Sequence, residues 1–144
     1  MPDPFDLQRF VQAQAGVHDQ ALAEIRAGRK RSHWMWFTFP QYEGLGYSSM
    51  AQHYAIKSIG EALAYLAHPV LGARLVECAE TVLAIDDRSI SEVFGYPDDL
   101  KLRSSVTLFA AVASPDSVFQ RVIDKQFAGK ADARTLLLIN ERHG

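Results

Sequence analysis

The run WMWFTF, Trp34 to Phe39, decides the fold class. It is the one segment with strand-like composition, and a lone strand has no partner with which to form a sheet. The chain on either side reads as helix. The expectation is an all-α fold: a single compact domain over residues 1–144, an irregular array of seven to nine short helices.

Working outward from that segment, punctuation residues and apolar spacing place the helices. Upstream, Asp6 can cap a helix running to Ala15, and Gly16 breaks it. Val17 to Ala27 follows, with Val17, Ala21 and Ile25 four apart and Gly28 at its end. Downstream, Ser48 can cap a helix over residues 49–56. Ser58 and Glu61 have capping-box spacing, as do Ser89 and Glu92. Between them, Pro69 suits the first turn of a helix with the clearest periodicity in the chain. There Leu71, Leu75, Cys78, Ala79, Val82 and Leu83 form one apolar stripe. Pro97, Asp98 and Asp99 open a helix to about Ala113. Ser114 and Pro115 have the cap-then-proline pattern. Gly129 stops the helix carrying Val118 to Phe127, and Asp132 caps a last one. In that last helix Leu136 to Ile139 is apolar on all sides, so burial is expected.

Composition narrows function by exclusion. The 144 residues suit one domain, and 48% hydrophobic with 22% charged residues argues against disorder. A net charge of -2 speaks against nucleic acid as a partner of the whole surface. One cysteine, Cys78, allows no internal disulfide. The opening MPDPFDLQRF lacks a basic region followed by an apolar run, and no apolar stretch approaches the roughly 20 residues of a membrane span. A cytoplasmic protein with no membrane association is expected. No histidine or cysteine spacing fits a metal site, and no cofactor is expected.

Four stretches carry possible chemistry, each with a plainer structural reading beside it. Trp34, Phe37 and Phe39 can be core. They also precede a loop, Pro40-Gln-Tyr-Glu-Gly-Leu-Gly46, that can lip a wall of rings for a flat ligand. Gly44 and Gly46 lead to the expected helix start at Ser48. That is either a flexible turn or an anion site, and without flanking strands it is not a dinucleotide fingerprint. Arg26 to Arg31 places four cations in six residues, as a solvated helix end or as a strip for single-stranded nucleic acid. The densest polar cluster is Pro97-Asp-Asp-Leu-Lys-Leu-Arg-Ser-Ser105. Asp98 can pair with Lys101 and Asp99 with Arg103. Alternatively, one aspartate acts as a general base beside a Lys101 or Arg103 anion clamp. His33, inside the aromatic segment, is the candidate titrating group near neutral pH. Cys78 lies on the core stripe and reads as a small apolar filler.

These motifs together resemble a known family. Ser32-His-Trp-Met-Trp-Phe-Thr-Phe-Pro-Gln41, Gly44-Leu-Gly46, Tyr65 to Leu75, Phe94-Gly95 and Pro97 to Ser105 are similar to the bacterial domain of unknown function numbered 1810. Some of its members carry the label calpastatin. The likeness runs from about Phe5 to Leu138 and implies a compact all-helical domain with no established activity. Nothing here resembles the disordered inhibitory repeats of calpastatin itself. Glu61 to Gly72, with Arg103 and Phe109, also resembles the order of elements in a helical glycosidase superfamily. That superfamily acts on ADP-ribose-linked compounds and riboflavin-pathway intermediates.

The first functional expectation is therefore binding or hydrolysis of a nucleotide-like small molecule at an N-glycosidic bond. Asp98, Asp99 or Glu43 would be the catalytic carboxylate. His33, Trp34, Trp36, Gln41, Gly44, Gly46, Ser48, Lys101 and Arg103 would bind the ligand. It requires the tryptophan segment and the Asp98–Arg103 helix start to meet. The alternative is a protein-interaction module with an aromatic surface around Trp34 and Trp36.

Overall fold

The computed structural model describes residues 3–143. Among them the chain forms ten helices, more than the seven to nine expected, because the aromatic run is itself a helical turn. These are α1 (Gln8–Gln14), α2 (His18–Arg26), α3 (Met35–Thr38), α4 (Ser49–His53), α5 (Ile59–Ala67), α6 (Leu71–Leu83), α7 (Ile90–Phe94), α8 (Asp98–Val112), α9 (Val118–Gln126) and α10 (Ala133–His143). The strand-like aromatic run coils into the single turn of α3. The only strand-type pairing among the described residues is an isolated parallel bridge between Tyr42 and Ile56. The fold is all-helical, as the segment's isolation predicts.

The stripe on α6 is the centre of the core. Leu71, Leu75, Cys78, Ala79 and Val82 are all buried. Helices α2, α5 and α9 pack around α6, and α8 packs against α5 and α9 to close the core. α8 buries every residue from Ser104 to Phe109, so it is a core helix rather than an amphipathic surface one. Gly72 permits the close approach of α5 to α6. A Cβ there would overlap the Leu66 carbonyl group.

Helix ends follow the punctuation in most places. Ser48, Ser58 and Ser89 accept from the backbone N–H three residues on, and Asp132 does so from Thr135 N–H. Ser89 and Glu92 form the full reciprocal box. Four expectations are corrected. Asp6 is not a cap; the Asp3 carboxylate accepts from Leu7 and Gln8 N–H instead. Glu61 does not reach back to Ser58. One oxygen accepts from Lys57 N–H and the other holds the Arg9 guanidinium at 2.7 Å, a buried ion pair. α9 is capped by Ser117, two residues beyond Pro115. Leu136 and Leu137 are exposed, Leu137 at 58%, because α10 meets the core only on the side of Thr135, Leu138 and Ile139.

Gly72→Ala is expected to lower stability by about 1–3 kcal/mol, since the neighbouring backbone must move to admit the methyl group. Urea denaturation would show it as a lower midpoint at unchanged slope.

Candidate functional site

The aromatic segment is held from below by one carboxylate. Glu24, on α2, accepts five hydrogen bonds. Its Oε1 takes Arg31 N–H (2.8 Å), Ser32 N–H (3.0 Å) and the Trp34 indole N–H (2.9 Å). Its Oε2 takes the Ser32 hydroxyl (2.7 Å) and the Gln20 amide (3.2 Å). Burial alone would raise the Glu24 pKa. The hydrogen bonds from Arg31, Ser32 and Trp34 outweigh it and bring the carboxyl from its ordinary 4.5 down to about 2.

Trp34 is thereby a core residue with 0% exposure, edge-on to Phe94. It cannot stack on a ligand, which corrects one half of the expected ring wall. Trp36 is half-buried and lies near His33, which is exposed.

The start of α8 meets this segment, as the first functional expectation requires. Lys30, 6% exposed, lies 4.8 Å from the Trp34 ring centre and pairs with Asp98 at 2.8 Å. Lys101 sits 5.4 Å from the Trp36 ring centre and 3.6 Å from the other Asp98 oxygen. Two ammonium groups over two indoles thus share one carboxylate, each ring face adding attraction for its cation. Asp98 is committed to this ion-pair layer. Asp99 accepts from the Ser91 hydroxyl and from Leu100 N–H, joining α7 to α8. Arg103 does not pair with Asp99. Its guanidinium donates to the Lys130 and Ala131 carbonyls, which fixes the turn before α10 and removes it from the expected anion clamp.

What the meeting leaves open is a cavity of about 360 Å³ between the glycine loop and α8. Gln41, Gly46, Tyr47, Ser48, Lys101 and Arg134 are among its walls. A second cavity of about 380 Å³ lies on the other side of the loop and includes Glu43, Gly44 and Gln52. Gln41, Gly46, Tyr47 and Ala51 line both. The loop is therefore a shared partition, tied down where Arg134 donates to the Gly44 carbonyl (3.4 Å) and to the Tyr47 hydroxyl (3.2 Å). Gly44, at φ 106°, takes a conformation that favours glycine, and the packed Ala51 methyl leaves no room for a side chain at Gly46. Asp132 also lines the first cavity, where its Oδ2 accepts from Ser104 and Thr135. Lys101 and Arg134 supply two cations to the lining against that one carboxylate.

With that geometry established, similarity to known proteins is informative. Residues 4–139 match the family described as Protein of unknown function (DUF1810). The chain belongs to this family. A solved structure of high similarity is that of the conserved hypothetical protein Rv1873 from Mycobacterium tuberculosis. It is 53% identical, with a TM-score of 0.93 over 96% of this chain and 99% of that one. No curated protein matches the chain. The two chains share one fold.

Of the expected site residues, the structure gathers Gln41, Gly46, Ser48 and Lys101 around one cavity and places Gly44 and the candidate catalytic Glu43 on the adjoining one. Trp36 supports Lys101 from beneath, while Trp34 and Arg103 serve the framework. Sequence reasoning missed Glu24 and Arg134. Glu24 lies within a charged helix end with no motif, and Arg134 lies 90 positions from the Gly44 carbonyl it touches. Among the described residues no group of three or more His, Cys, Asp or Glu could hold a metal ion. No helix there is long and apolar enough to cross a membrane.

Glu24→Gln tests the anchor. A carboxyl held down at about 2 stabilises the fold above its unfolded pKa, and that share is lost as pH falls from about 4.5 towards 2. The variant is expected to be less stable at pH 7 and to lose nearly one proton's worth of slope in that acid window. An acid-unfolding series on both proteins measures this, and equal slopes would contradict it.

Proposed function

We propose that the protein binds a nucleotide-like small molecule across the glycine loop, with its phosphate in the cavity between that loop and α8. The observation that carries this is the convergence of Lys101 and Arg134 on one concave space with Gln41, Ser48 and Tyr47. The space of about 360 Å³ lies within the roughly 300–1,000 Å³ of small-molecule sites. Arginine and lysine suit a phosphate, the first by its fork and the second as a point charge. Neither of the two Arg134 partners is a carboxylate, so an anion can recruit its guanidinium without breaking an ion pair.

The flat group falls to Tyr47 rather than to the tryptophans. Tyr47 is 75% exposed and borders both cavities. Gln41 reaches both spaces, and Glu43 and Gln52 offer hydrogen-bonding groups on the far side of the partition. In the enzymatic form of this reading, water replaces the base at the N-glycosidic carbon, and a carboxylate stabilises the charge that develops on the sugar. Glu43 is the expected carboxylate that lines a cavity. Asp98 and Asp99 line neither, being engaged with Lys30, Lys101 and Ser91.

A thermal-shift series with ADP-ribose, NAD, mononucleotides and flavin-pathway phosphates tests the binding. A ligand at a hundred times its Kd adds about 2.7 kcal/mol, a rise of several degrees in Tm for a domain of this size. The Lys101→Gln, Arg134→Gln double variant is expected to weaken binding at least about tenfold, through loss of charge-assisted hydrogen bonds. Equal affinity in the variant, or no shift with any of these ligands, would overturn the proposal.

A second reading has its own observation. Tyr47, Met50, Tyr96 and Leu100 are all exposed, and Tyr47 and Leu100 border the first cavity. Exposed tyrosine and aliphatic groups of this kind suit a protein contact. Such a surface would be this one, not one around the buried Trp34. A partner captured by the wild type and lost with Tyr96→Ser, Leu100→Ser would support it.

A further inference from the structure

A different concavity, of about 430 Å³, opens beside the C-terminal end of α2. Arg29, Arg31 and Arg88 line it together with Gln20 and Glu24. Three guanidinium groups against one carboxylate leave a lining charge of 3 − 1 = +2, on a chain whose net charge is -2. None of the three guanidinium groups has an ion-pair or hydrogen-bond partner among the described residues.

Most of the surrounding acids are engaged elsewhere. Both oxygens of Glu24 are saturated by the five donors described above. Asp86, two residues before Arg88, pairs with Lys125, and Asp87 lines a separate cavity between α2 and α6. Glu92, on α7, bonds within its own capping box with Ser89, although it still feels the charge of Arg88. The arginines are also placed rather than scattered. Gly28, at φ 76°, leaves a bare backbone face against which Arg88 lies. A Cβ at Gly28 would come within 3.0 Å of Arg88 Cδ and 3.1 Å of Nε. The backbone of Arg31 is fixed by its N–H bond to Glu24, and Arg29 N–H bonds the Glu24 carbonyl.

We propose that this arginine concavity is a binding site for a small polyphosphate group, such as pyrophosphate or triphosphate, free or at the end of a nucleotide. Guanidinium forks match phosphate oxygens two at a time, and three of them call for more than one phosphate. The concave shape and the acidic balance of the rest of the chain favour a compact anion over a long one such as nucleic acid, which would extend onto repelling surface. The site is separate from the one between the glycine loop and α8, and does not rest on it.

Calorimetric titration of the full chain with inorganic tripolyphosphate, at 50 and 200 mM salt, tests this. Binding is expected in the wild type, weaker at the higher salt. It should weaken at least about tenfold in Arg29→Gln, Arg88→Gln and persist in Lys101→Gln, Arg134→Gln. If the first pair fails to fold by circular dichroism, Arg31→Gln serves, because its side chain takes no part in the Glu24 bonds. Parallel titrations with inorganic pyrophosphate, ATP and AMP distinguish a free from a nucleotide-borne group. ATP binding with no response to tripolyphosphate would place the recognition in the nucleoside and overturn the proposal. So would absence of binding at millimolar tripolyphosphate, loss confined to the Lys101/Arg134 variant, or tighter binding of a single-stranded oligonucleotide.

Discussion

The Glu24 carboxylate is the contact on which the rest of the candidate chemistry depends. Five donors from two stretches of chain end on its two oxygens. Four come from residues 31–34, the segment that links the basic cluster to the aromatic turn. With that segment fixed, Trp34 is drawn into the core and α3 can form only where it does. The arginine concavity lies on one side of this anchor. On the other, the chain runs through α3 into the glycine loop, so one buried-edge carboxylate orders the approach to both anion-favouring spaces.

Charge is layered above it in a way that separates framework from function. Lys30 and Lys101 share Asp98 and rest over Trp34 and Trp36. A nearly buried ammonium needs such a partner, because removing its counter-charge would leave it desolvated and alone. Asp98 is therefore more a structural counter-ion than a base in waiting. Arg103 is likewise absorbed into the turn before α10, which sets Arg134 at the cavity. The groups that line the two cavities beside the glycine loop include Lys101, Arg134, Tyr47, Gln41 and Glu43.

Much of this was legible from local signals. The α6 stripe, the Ser89–Glu92 box, the caps at Ser48 and Asp132 and the stops at Gly28, Gly95 and Gly129 each depend on residues within a few positions of one another. The loop Gln41–Ser48 and Lys101 were recognisable because glycines and a charged helix start announce themselves locally. Long-range partners were not. Glu61 has the spacing of a box, but Arg9, 52 positions away, competes for it with a buried charge. Leu136 and Leu137 look like core in sequence, yet the core already has its occupants on that side. Trp34 and Trp36 are indistinguishable by type; only the reach of Glu24 to one indole decides which is buried.

The most direct measurement is native-state amide hydrogen exchange of the wild type and Glu24→Gln at neutral pH, resolved by residue. If the anchor organises the site, the amides of residues 29–47 lose protection in the variant while those of α6 and α9 keep theirs, because local opening and global unfolding are then uncoupled. Protection unchanged across residues 29–47, or lost equally throughout the chain, would contradict the account.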